Sequence, residues 1–174
     1  MLSEKGDKQQ EDDKAEVAIL CSKAKVLANK GRYPDTIPLY DKVLEIEPKN
    51  IEAVLNKGYA LATIGKHSEA ISCFDIVLQV ETNHSDAIFS KGRALYNLEK
   101  YPESIACFDK CLEINPTDTQ ALKEKGMSLR ELEKNEQARW CFERVLEINP
   151  KDNVALFLRN SIINIWGKKN RMYA

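Results

Sequence analysis

Leu112-Glu113-Ile114-Asn115-Pro116 and Leu146-Glu147-Ile148-Asn149-Pro150 are the same five residues written twice. Leu44-Glu45-Ile46-Glu47-Pro48 differs at one position, and Leu78-Gln79-Val80-Glu81-Thr82 is a more divergent copy. The phrase ends at 48, 82, 116 and 150, a constant step of 34 residues. Gly58, Gly92 and Gly126 keep the same step, with Ala24 one step earlier. Self-similarity at a fixed period of this length marks an array of small units, each a copy of its neighbours.

The period divides the chain into units at about 17–50, 51–84, 85–118 and 119–152. In the first, Leu20, Ala24, Leu27 and Ala28 recur at three- and four-residue steps, the spacing of one helical face. Gly31 suits the left-handed position that closes a helix, and Tyr33-Pro34 opens a second helix, where proline is at home. Ile37, Tyr40, Val43, Leu44 and Ile46 form the second stripe. Pro38 conflicts with a helix starting at Pro34, because it removes an internal hydrogen bond; a later start with Thr36 as cap is the alternative. The later units repeat the plan, with Phe74, Phe108 and Phe142 on their second helices. The turn glycine of the second unit, Gly65, becomes Glu99 and Glu133 in the third and fourth. Residues 1–14 are almost all charged or amide and are expected to form a flexible tail. Residues 153–166 read as a lone fifth first-helix that caps the array, followed by a short C-terminal tail.

The pattern resembles tetratricopeptide repeats, whose period is about 34 residues in helix–turn–helix units. The residues that carry the resemblance are Val54, Gly58, Leu61, Ala70, Phe74 and Val77 in the second unit. The third supplies Ile88, Gly92, Leu95, Ser104, Phe108, Cys111 and Pro116; the fourth supplies Leu122, Gly126, Leu129, Ala138, Phe142, Val145 and Pro150. The first is weaker, with Leu20, Ala24, Leu27, Thr36, Tyr40, Val43 and Pro48. The resemblance covers roughly residues 15 to 166. It implies an all-α fold, a right-handed superhelical array whose first helices line a concave groove for a partner peptide or protein. Residues on that side of the first helices are then Asn56 and Tyr59; Phe89, Arg93, Tyr96 and Asn97; and Lys123, Met127 and Arg130. Aromatic residues and arginine are enriched at the centres of protein interfaces. One subfamily grips C-terminal carboxylates of chaperone tails with lysine, asparagine and arginine. Taken from the first unit, its slots hold Cys21, Lys25, Asn56, Asp86 and Ser90; only Asn56 fits, so that clamp is not expected here.

The remaining features have plainer explanations. Lys23, Lys57, Lys91 and Lys125 form one column, read as stems lying over packed helices and pairing with carboxylates. Cys73, Cys107 and Cys141 form another, read as small packing residues. Two thiols at Cys107 and Cys111 without a histidine do not complete a zinc site, and no metal or cofactor is expected. Net charge is −1, which gives no long-range attraction for nucleic acid or an anionic membrane. No signal-peptide core or membrane-length apolar run occurs, and free thiols suit the cytoplasm. No glycine-rich phosphate loop, GxSxG or HExxH is present, so the expected function is a non-catalytic interaction module or scaffold, monomeric or weakly dimeric. The alternatives are a structural subunit self-assembling through Ile163, Ile165 and Trp166, or a regulatory subunit of an enzyme complex.

Overall fold

The structure, a computed structural model, describes the backbone of residues 2–171 and the side chains of residues 9–163. The chain folds as successive helices: α1 (Leu2–Asn29), α2 (Tyr33–Ile46), α3 (Ile51–Thr63), α4 (His67–Val80), α5 (Ser85–Asn97), α6 (Tyr101–Ile114), α7 (Thr119–Glu131), α8 (Asn135–Ile148) and α9 (Asn153–Arg171). Strands are absent among the described residues. The helices fall into two compact units, Met1–Ala87 and Ile88–Ala174.

Every first helix ends in the same turn. The residue one past the cap bonds back to a carbonyl three residues earlier, and the next residue to one five earlier, the Schellman arrangement. Gly31 N–H meets Ala28 C=O at 2.9 Å and Arg32 N–H meets Leu27 C=O at 2.9 Å. Glu133 N–H meets Arg130 C=O at 2.9 Å and Lys134 N–H meets Leu129 C=O at 2.9 Å. Gly31 and Gly65 have φ of 73° and 83°; Glu99 and Glu133 sit in the same left-handed region at 60° and 57°. A side chain there costs about 1–2 kcal/mol, so the packing of the flanking helices imposes the turn on a residue that does not favour it.

The starts of the first helices form a second ladder at the same step. Asn50 Oδ1 accepts from Ala53 N–H at 2.9 Å, His84 Nδ1 from Ala87 N–H at 3.3 Å, Asp118 Oδ1 from Ala121 N–H at 3.0 Å and Asp152 Oδ1 from Ala155 N–H at 2.9 Å. These side chains satisfy amide groups that the helix leaves unpaired. The alanines they hold, Ala53, Ala87, Ala121 and Ala155, are fully buried.

Glycine and phenylalanine set the spacing within each pair. Phe74, Phe108 and Phe142 are completely buried. A Cβ at Gly58 would stand 2.7 Å from Phe74 Cε1, one at Gly92 2.9 Å from Phe108 Cε1, and one at Gly126 2.7 Å from Phe142 Cε1. The ring thus occupies the space that a side chain would need. In the first unit Phe74 packs with Val54, Leu61, Ala70, Cys73, Val77 and Ala87. In the second, Phe142 packs with Leu122, Leu129, Val145, Leu158 and Ile162. That cluster includes α9, so α9 covers the open face of the α7–α8 pair through Ala155, Leu158 and Ile162.

The ends of two helices differ from the sequence reading, and the start of α2 follows it. Residues 2–14, expected as a flexible tail, continue α1 as helix. Lys, Glu and Gln are good helix formers, and Gln9 Nε2 donates to Asp13 Oδ1 at 2.8 Å one turn away; residues 9–16 bury no side chain. Pro38 lies inside α2, which begins at Tyr33, so Thr36 is not its cap. Thr36 is buried and its hydroxyl donates to Tyr33 C=O at 2.8 Å. Pro38 leaves the carbonyl of Pro34 without its usual donor. In addition, α9 runs to Arg171, beyond the expected 166.

Two members of the lysine column pair with carboxylates as read. Lys57 meets Asp41 at 2.6 Å and Lys125 meets Asp109 at 2.6 Å. Each joins a first helix to the second helix of the preceding repeat. The hydrogen bond that Lys57 donates to Asp41 raises its ammonium above the usual value.

Candidate functional site: the α5–α7 face

Asn56 and Tyr59 lie on α3 in the first unit; the other seven candidates lie on α5 and α7 in the second. Phe89, Arg93 and Tyr96 are spaced at i, i+4 and i+7 on α5, and Lys123, Met127 and Arg130 repeat the spacing on α7. Such residues share one helical face. The Arg93 guanidinium lies 3.6 Å from the Glu124 carboxylate, which joins the two faces.

The aromatic residues are held from behind. The Phe89 ring meets Phe108 edge-on at 5.6 Å between centroids, and Tyr96 meets Tyr101 likewise at 5.5 Å. In the first unit Tyr59 leans on Phe74 at 5.7 Å. Edge-to-face pairs contribute about 0.5–1.5 kcal/mol beyond burial and restrict the rings, so contact area is available at little entropic cost. Phe89, Tyr96 and Tyr59 are half-buried. Met127 is partly buried against the Phe142 cluster. Asn97 is exposed at the end of α5, and Asn56 is half-buried beside Tyr59 on α3. Near it, Lys25 of α1 pairs with Glu52 of α3 at 3.0 Å.

The cations of α7 are paired within the fold. Lys123 Nζ donates to Asp152 Oδ2 at 2.9 Å, and the two side chains are only 14% and 11% exposed. Asp152 is also the cap of α9, so Lys123 ties α7 to the start of α9. Arg130 pairs with its neighbour Glu131 at 3.1 Å. Asp152 and Glu131 were missed in the sequence because their roles depend on what they meet in space; the cap ladder at 50, 84, 118 and 152 was the one signal that pointed to Asp152.

Two carboxyls on this face are perturbed in opposite directions. The Ala155 amide and the Lys123 ammonium hold Asp152 below the usual carboxylate range. Burial pushes Glu124 up, against the pull of Arg93 and Lys123. For Asp152 the ionised form is favoured on folding, so its contribution to stability is complete above its ordinary value of 3.8 and is lost as pH falls through the lower folded value. Asp152→Asn keeps a capping oxygen and loses the charge. The stability gap between wild type and this variant, measured by urea unfolding, is expected to persist from about pH 7 to about pH 4 and to close toward about pH 2. A gap that is constant over this range would show that neither the Ala155 amide nor the Lys123 ammonium favours the ionised carboxylate.

Behind the face, Ser104 and Ser128 are fully buried with their hydroxyl oxygens 3.2 Å apart. Ser128 donates its one proton to Glu124 C=O at 3.0 Å, so Ser104 donates to Ser128. The thiols are quiet. Cys73, Cys111 and Cys141 are buried, and burial pushes Cys141 up to about 11, which suppresses the nucleophilic thiolate. Among the described residues no group of three histidine, cysteine, aspartate or glutamate side chains is placed to hold a metal ion. No described helix is long and apolar enough to cross a membrane. Of the residues considered for self-association, Ile163 is 47% exposed; the side chains of Ile165 and Trp166 lie outside the described residues.

Helix pairs at a 34-residue step, closed by glycine–phenylalanine contacts and one repeated turn, define a helical repeat protein. Family models described as tetratricopeptide repeat match residues 39–72, 85–118 and 120–152. The chain belongs to the tetratricopeptide repeat family. Solved structures share its fold. MamA (41 to the end) from Desulfovibrio magneticus RS-1 is 18% identical with a TM-score of 0.76, over 88% of this chain and 92% of that chain. A tetratricopeptide repeat protein from Parabacteroides merdae is 19% identical with a TM-score of 0.82, over 90% of this chain and 62% of that chain. The first TPR of Spaghetti (RPAP3), bound to the HSP90 peptide SRMEEVD, is 23% identical with a TM-score of 0.64, over 67% of this chain and 93% of that chain. No curated protein matches the sequence.

Proposed function

We propose that the chain is a non-catalytic interaction module that binds a segment of a partner protein on the face carrying Phe89, Arg93 and Tyr96. The observation that carries this is the set of half-exposed rings, each braced edge-on by a ring behind it, beside the exposed Arg93. Rigid aromatic contact area with a nearby arginine is the composition of interface centres. Membership of a repeat family and the likeness in fold to a Spaghetti TPR solved with a peptide support the same reading. The cytoplasm is the compartment that suits its unbridged cysteines.

The test is capture of a partner from lysate of the source cell, comparing the intact chain with a Phe89→Ala, Tyr96→Ala double variant. The intact chain is expected to retain a protein that the double variant loses, while both keep the same helical circular dichroism. Equal capture by both would move the working surface elsewhere. The described part of the C-terminal helix offers the second reading, because Val154, Phe157 and Ile163 are 54%, 71% and 47% exposed on α9. Light scattering over a range of concentrations separates it: self-assembly through α9 requires a mass that rises with concentration.

A further inference from the structure

We propose that the partner segment presents an arginine or lysine between apolar side chains, with Glu124 receiving the basic group and Phe89, Tyr96 and Met127 the apolar ones. This rests on the interaction-module reading above and names the chemistry of its ligand. Three cations stand on the α5–α7 face, which at first sight favours an acidic ligand. Two are already committed, Lys123 to Asp152 at 2.9 Å and Arg130 to Glu131 at 3.1 Å. The third pair is unequal. Arg93 and Glu124 stand 3.6 Å apart, beyond hydrogen-bond distance, and the arginine side chain is 60% exposed while the glutamate side chain is 20% exposed. The carboxylate is therefore shielded, and the guanidinium stands largely in water. An exposed partner of this kind contributes about 0–1 kcal/mol, so an incoming basic group displaces it at little cost.

Two further observations point the same way. Burial raises the Glu124 carboxyl although Arg93 and Lys123 both lower it, so its ionised form is under-compensated on an exposed face. Such a group is stabilised by one more cation, and perturbed groups of this kind cluster at functional sites. Phe89 and Tyr96 lie one helical turn on either side of Arg93, and aromatic rings attract ammonium and guanidinium groups. An acidic ligand meets the opposite situation: Lys123 is held by the shielded Asp152, and Glu124 repels it. The SRMEEVD peptide of the Spaghetti TPR carries three acidic residues, so the two ligand classes are opposed.

The test uses the full chain and three pools of labelled peptides of about nine residues, a length that spans a short binding groove. Each pool fixes a central arginine, norleucine or glutamate between two leucines and mixes the other positions. Fluorescence anisotropy is expected to show the arginine pool binding about tenfold more tightly than the glutamate pool, a difference of about 1.4 kcal/mol. Glu124→Gln is expected to abolish that preference. Because ionised Glu124 is disfavoured by folding, this variant should melt no lower than wild type near neutral pH, so lost preference cannot be ascribed to unfolding. Tighter binding of the glutamate pool, equal binding of all three, or no binding by any would overturn the proposal. So would a dimer of the chain alone that dissociates in Glu124→Gln, which would seat a second copy on the face. If the pools show no basic preference but the Phe89→Ala, Tyr96→Ala variant still loses its lysate partner, only the charge assignment fails. If capture also survives that variant, the interaction face itself is wrong.

Discussion

Phe142→Ala is expected to destabilise the second unit by about 3–5 kcal/mol, as truncation of a fully buried aromatic does. The ring has no exposed surface and touches the clusters of three helices, α7, α8 and α9. Removing it leaves a cavity that cannot collapse easily, because Gly126 has no side chain to move in. Stability in such arrays is approximately a sum over repeats and nearest-neighbour contacts, so the loss should be local. Urea unfolding followed by circular dichroism should show a lowered midpoint for α7–α9. Amide exchange should quicken there while Val54, Leu61 and Val77 of the first unit keep their protection. An unchanged midpoint would contradict the packed role of the ring.

Gly126→Val is the complementary experiment and should cost about 1–3 kcal/mol through overpacking. The new Cβ would meet Phe142 Cε1 at 2.7 Å, Phe142 Cζ at 2.8 Å and Cys141 Cβ at 3.2 Å. The ring has nowhere to retreat, since it is fully buried. Replacing glycine inside a helix would by itself favour the helix by somewhat under about 1 kcal/mol, so a net loss isolates the steric effect. The smaller Gly126→Ala change should be partly rescued by Phe142→Leu, because the two side chains compete for one volume. In a double-mutant cycle, strictly additive effects would show that the glycine is not there to admit the ring.

Both predictions concern features that were legible as letters. The glycine and phenylalanine recur at constant spacing because every pair of helices solves the same contact problem. The turn was legible at Gly31 and Gly65 for the same reason. At Glu99 and Glu133 the repeat marked the position but not the conformation, since φ of 60° and 57° goes against the residue's preference and the flanking helices decide it. Pro38 is similar. Local chemistry argued for a later start to α2, yet the burial of Thr36 and Tyr40 favours keeping the whole helix at the cost of one backbone bond.

The helical register of the candidate residues was legible, and the ion pairs they make were not. The register of α5 and α7 placed Phe89, Arg93, Tyr96, Lys123, Met127 and Arg130 on shared faces without any coordinates. Their availability was another matter. Lys123 looks like a free cation in the sequence and is engaged by Asp152, 29 residues away. Glu124 looks like an ordinary surface glutamate and is shielded beside Arg93, 31 positions earlier in the chain.

The sequence by itself determined the repeat, its period, the helix pairs and the residues at which they touch, since these follow from spacings within one unit. Only the tertiary structure decided which charges are spent within the fold and which face a partner. Ion pairs between repeats depend on how two helices are set side by side, and on how far water is excluded between them. Neither quantity is encoded in the spacing of residues along one helix.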